Sequence, residues 1–298
     1  MRLDDERESS NIEDQRGMSF GGGGVGGGGL GGLLGLIFAA RGLGIGIPGL
    51  LIIGALYLFF SGGLGGGGSR APSGFQPGAS ATAPTQRGAE SQTDVFVRKV
   101  LASTEDTWTK IFQANGLQYR YPKLVFYSGQ GRSGCGAAQA AMGPFYCPSD
   151  QKIYLDESFF QEMRNRFGVN GDFANAYVIA HEVGHHVQKL TSQYAKAQAT
   201  GLPEAGSGGQ QVRIELQADC YAGVWGADHR DILDPGDVDE ALRAANAIGD
   251  DTLQRESTGR VAPDSFTHGT SAQRMRWFKK GYESGDPAAC DTYSAQEV

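Results

Sequence analysis

The chain has 298 residues and a formal net charge of −7, from 26 basic against 33 acidic side chains. That length suits one substantial domain plus an appendage. It also lacks the basic excess that phosphate backbones demand, so nucleic acid is excluded as an expected partner.

In chain order, residues 1–17 are crowded with both signs of charge and carry few apolar side chains, the composition of a solvated tail. Glycine dominates residues 21–29, interrupted only by Val25, which predicts a flexible spacer. Residues 1–42 therefore read as a charged, then Gly-rich, disordered tail. Residues 43–60 (LGIGIPGLLIIGALYLFF) run for 18 residues without a charge, about what a helix needs to cross a hydrocarbon core of ~30 Å. Pro48 and the glycines are tolerated in lipid, and Tyr57, Phe59 and Phe60 suit an interfacial end. A cleaved signal peptide is the alternative, but the preceding region is far longer than an ordinary n-region and no small-residue cleavage site directly follows Phe60. The reading is a single-pass anchor in the cell (inner) membrane, with lipid as partner.

Arg41 and Arg70 flank the apolar stretch and leave its orientation tied. The cysteines break the tie. All four (Cys135, Cys147, Cys220, Cys290) follow the apolar stretch, and none forms a C-x-x-C pair. An even number suits two disulfides on the extracytoplasmic side. Cys135–Cys147 with Cys220–Cys290 is the preferred pairing of three; four buried free thiols is the alternative. Residues 61–92, rich in Gly, Pro, Ser, Ala and Thr, read as a flexible linker to a domain at 93–298.

Within that domain Phe96, Val100, Trp108, Ile111 and Phe112 recur at helical spacing up to Gly116. Residues 123–128 (KLVFYS) and 152–156 (KIYLD) read as strands separated by Gly and Pro clusters. Helices are expected over 172–190, capped by Asn170, Gly171 or Asp172, and over 212–227, 237–248 and 271–281. The fold class is α+β.

The chemistry lies in residues 172–190. His181 and His185 stand four apart on one helix face, with Cβ atoms roughly 6 Å apart, so their imidazoles can converge on one zinc ion. Glu182 is turned about 100° from that face and can reach a water beside the metal, as a general base must. A catalytic zinc needs a third protein ligand. Position 191 is Thr, which rules out a third His six residues beyond His185, and His229 and His268 are distant. Glu215 opens the string E-L-Q-A-D on a separate helix, in the gluzincin pattern. Glu215 then completes a His2Glu set, and Asp219, one turn later, accepts the outer N–H of a ligand imidazole. The alternative makes Asp219 the ligand and Glu215 a surface charge. His186 lies off the ligand face, and Gly184, Ala218 and Ala222 suit close helix packing.

Taken together, HEVGHHVQ at 181–188, ELQADCYAGVW at 215–225, GPFYCPSDQKIYLD at 143–156 and HGTSAQRMRWFKKGYESGDP at 268–287 resemble the bacterial family of putative neutral zinc metallopeptidases. The opening RESSNIEDQRG, the glycines and the apolar span are also similar. The resemblance implies a membrane-anchored, zincin-like domain with a small sheet packed on the H-E-x-x-H helix, zinc as cofactor and a protein or peptide as substrate. His268 and Arg274 also resemble the His-x5-Arg element of prenyl-protein endopeptidases, which implies oxyanion stabilisation by His268. Residues 152–156 sit in the chain like the zincin edge strand that pairs with substrate. The contrasting class is a membrane-tethered scaffold that keeps a structural zinc without hydrolysis; an intact Glu182 argues against it.

Overall fold

The computed structural model describes residues 1–18 and 91–298. The expected spacer, anchor (43–60) and linker fall outside them, apart from the last linker residues. Among the described residues, no helix is long and apolar enough to cross a membrane.

The described chain is α+β. The elements in order are β1 (Ile12–Asp14), α1 (Gln92–Ala114), β2 (Lys123–Tyr127), β3 (Gln130–Ser133), β4 (Gly136–Gln139), β5 (Phe145–Cys147) and β6 (Lys152–Asp156). The remainder is helical: α2 (Ser158–Phe167), α3 (Asp172–Leu190), α4 (Gln193–Ala199), α5 (Gln210–Asp228), α6 (Asp237–Ala247), α7 (Asp250–Thr258) and α8 (Ser271–Ser284). The main sheet has the order β1-β2-β6-β5, with β5 antiparallel to β6 and the other pairs parallel. β3 and β4 form a separate hairpin.

Two expectations are corrected. Residues 1–17 are not a solvated tail: β1 pairs with β2 through Ile12 and Leu124, and Glu13 joins Lys123 at 3.0 Å and Lys152 at 2.6 Å. Upstream, Glu105 on α1, 1 % exposed, accepts hydrogen bonds from Ser9 Oγ at 2.5 Å, Asn11 Nδ2 at 2.8 Å and the Arg7 guanidinium at 2.9 Å. These charges read as solvent-facing only because their partners lie about a hundred residues away in the chain. Secondly, residues 152–156 are not an edge strand. β6 is hydrogen-bonded on both sides, by β2 and β5, and the edge on the side of α3 belongs to the three-residue β5.

α3 is buried along most of its length and packs against the sheet, α5 and α6. No side chain of its own caps it. Instead the Glu240 carboxylate on α6 accepts from Phe173 N at 3.3 Å, in the space left by Gly171. The approach to α5 depends on Gly184: a Cβ there would lie 3.0 Å from Ala218 O, which fits the small residues at both positions. α1 crosses α5, where Trp225 Nε1 donates to Ser103 Oγ and Trp108 meets Tyr221 edge-on. Disulfides join Cys135 to Cys147 and Cys220 to Cys290, the preferred pairing, and no described cysteine is free.

The tightest crossing is α5 on α8. A Cβ at Gly281 would sit 1.9 Å from Cys220 O, and one at Gly223 would sit 2.1 Å from Phe278 O, both backbone atoms that cannot yield cheaply. Gly281→Ala is therefore expected to lower unfolding free energy by about 3 kcal/mol, as overpacking of a filled interface does. Urea denaturation measures this; an unchanged midpoint would mean that the helices are not in such close contact.

Candidate metal centre

α3 and α5 bring His181, His185 and Glu215 together: one possible ligand atom from each lies within 4.8 Å of the others. The Glu215 carboxylate faces both imidazoles. Its Oε2 is 3.2 Å from His181 Nε2 and its Oε1 is 3.5 Å from His185 Nε2. His181, Glu182 and His185 are 6 %, 7 % and 8 % exposed, so the pocket is largely shielded from water.

The other nitrogen of each ring is fixed from behind. His181 Nδ1–H donates to Asp219 Oδ1 at 2.8 Å. Asp219, wholly buried, also accepts from Tyr177 Oη at 2.5 Å and from Arg274 at 2.9 Å through both Nε and a terminal nitrogen. With its oxygens committed to these partners, Asp219 stands behind His181, and Glu215 is the carboxylate on the Nε2 side. His185 Nδ1 lies 2.8 Å from Gln188 Oε1. Gln188 Nε2 donates to Ile214 O and Gln217 Oε1, which leaves its carbonyl oxygen to accept from His185. Gln217 Nε2 in turn donates to Cys290 O, and Tyr293 Oη donates to Gln217 Oε1.

Both imidazoles therefore carry hydrogen on Nδ1 and offer Nε2 toward Glu215. Two neutral ring nitrogens and one carboxylate oxygen, with outer N–H groups already bound, form the donor chemistry that suits zinc and leaves a coordination position free. Without a metal the same carboxylates favour protonated imidazoles, so a metal binding here displaces protons from the rings. Burial opposes charge on His181, yet Asp219 and Glu215 together raise its pKa to about 10. Burial likewise works against the Glu215 charge, but His185 and His181 hold its carboxyl well below the ordinary range. Burial raises Glu182 above an ordinary glutamate, with His181 and His185 opposing that rise.

The remaining histidines are placed as follows. His186 is 1 % exposed and turns away from the pocket: Nε2–H donates to Arg120 O at 2.6 Å and Nδ1 accepts from Tyr146 Oη at 3.0 Å, tying α3 to β5. Burial lowers its pKa to about 4. His229 lies against α1, near Thr107 and Ser103. The His268 side chain is 53 % exposed, with Nδ1 3.2 Å from Asp250 Oδ1; Asp250 Oδ2 also accepts from the backbone N–H groups of 267, 268 and 269. His268 is near enough to Glu215 for their charges to interact.

Sequence reasoning missed Tyr177, Gln188 and Gln217, and gave Arg274 no contact with Asp219. Helical spacing held a usable signal: Tyr177 lies one turn before His181 and Gln188 three residues after His185.

Among known proteins, the chain is similar to the uncharacterised protein YpfJ of Escherichia coli (strain K12), with 47 % identity over 304 residues, covering 98 % of this chain and 99 % of the relative. The uncharacterised protein Rv2575 of Mycobacterium tuberculosis (strain ATCC 25618 / H37Rv) is 47 % identical over 193 residues, 60 % of this chain and 65 % of that protein. No solved structure matches the chain. The family described as "Putative neutral zinc metallopeptidase" matches residues 1–293, and the chain belongs to that family.

Proposed function

We propose that this chain is a membrane-tethered zinc endopeptidase with a zincin-like catalytic domain. The observation that carries the reading is the convergence of His181 Nε2, His185 Nε2 and the Glu215 carboxylate on one buried point, with Glu182 alongside. These three residues would hold the metal. Bound there, zinc supplies Lewis acidity, lowering the pKa of a water and polarising a scissile carbonyl.

The chain's own residues do the rest. Glu182 accepts the proton of the attacking water. It then delivers that proton to the leaving amine. Asp219 keeps His181 in the tautomer that offers Nε2, and Gln188 does the same for His185. At His268, Asp250 beside the ring raises the pKa and favours the imidazolium, whose Nε2–H would donate to a developing oxyanion. β5, an edge strand of the main sheet among the described residues, would receive an extended peptide in place of the internal β6. Residues 43–60 would provide the membrane attachment, and the two disulfides suit a catalytic domain on the extracytoplasmic side.

Glu182→Gln is expected to keep one equivalent of zinc while hydrolysis of a generic protein falls by about 10²–10⁴-fold, the usual worth of a general base; undiminished hydrolysis would contradict the role. His185→Ala should lose zinc outright by metal analysis. Gln188→Leu leaves all three ligands in place but removes the acceptor behind His185, so zinc affinity measured by chelator competition should weaken about 10- to 100-fold. Wild-type affinity in that variant would show that His185 needs no support from behind.

A further inference from the structure

The first 18 residues belong to the same folded unit as the catalytic residues. β1 is the fourth strand of the main sheet, in register with β2 from Ile12 to Asp14. Ser9 is 1 % exposed and shares the buried Glu105 with Asn11 and Arg7. Beyond the strand, the Arg16 guanidinium pairs with Asp14 at 2.7 Å and Asp94 at 2.8 Å, reaches Glu157, and lies 4.7 Å over the Phe126 ring. Strand pairing needs backbones ~5 Å apart, whereas a hydrocarbon core is ~30 Å thick. Residues 1–18 and 91–298 therefore cannot form this unit from opposite faces of a bilayer.

The apolar residues 43–60 lie in the chain between these two parts of one fold. A single crossing, the arrangement expected from sequence, would leave the two parts on opposite faces and strip β1 from its sheet. We infer that residues 1–18 and 91–298 lie together on one face of the membrane to which the chain is attached. This rests on the proposed membrane attachment. The N-terminal residues then mark the face on which the active site works, and a substrate of this peptidase must present its cleavage site on that same face.

The test uses full-length chains carrying Asp5→Cys, Glu8→Cys or Gln113→Cys, all at exposed positions, with wild type setting the background since its described cysteines are paired. Intact and permeabilised cells are treated with a membrane-impermeant maleimide, and membranes are washed with carbonate. The protein should stay in the carbonate-washed pellet, and all three positions should behave alike, whether labelled in intact cells or only after permeabilisation. Labelling of positions 5 and 8 on the opposite face from position 113 would overturn the inference while leaving the attachment intact. Release by carbonate would instead remove the attachment itself, and the inference with it.

Discussion

The Asp219 carboxylate is wholly buried, and the metal pocket is built around it. A carboxylate in that position would cost several kcal/mol if unpartnered. Here burial raises its pKa and Arg274 and His181 more than reverse that, so it stays ionised. The cluster draws on three helices: Tyr177 and His181 from α3, Arg274 from α8, and the carboxylate itself from α5. One buried charge thus fixes both the crossing of the helices and the tautomer of a metal ligand. The glycines serve the same end, since Gly184 and Gly281 let the backbones approach closely enough for these short hydrogen bonds.

His185 is held by a different device, a run of neutral amides. His185 leans on Gln188, Gln188 on Gln217, and Gln217 on the Cys290 carbonyl. The disulfide from Cys290 to Cys220 brings the C-terminal segment back to α5, on which Gln217 and Glu215 also lie. Pocket geometry and the covalent framework are therefore linked through three hydrogen bonds.

Much of this was legible wherever the information is local. Residues 172–190 and 212–227 show helical periodicity over several turns, and His181, His185 and Glu215 stand at spacings that admit few other purposes; the structure brings those three together. What escaped depends on partners remote in the chain. β1 and β5 have three residues each, too few for a period, and exist because β2 and β6 are there to receive them. The helix cap from Glu240 and the clamp of Glu105 on Ser9, Asn11 and Arg7 join residues roughly 70 to 100 positions apart. A charged N-terminal segment looks solvated until those counter-charges are placed beside it.

The central claim is that one metal ion is held by two Nε2 atoms and one carboxylate. Anomalous diffraction at the zinc edge from crystals of the zinc-loaded protein tests it most directly. The account predicts a single strong peak about 2.0–2.2 Å from His181 Nε2, His185 Nε2 and a Glu215 oxygen, with Asp219 still bonded to His181 Nδ1. A peak ligated by Asp219, or no peak between α3 and α5, would contradict it.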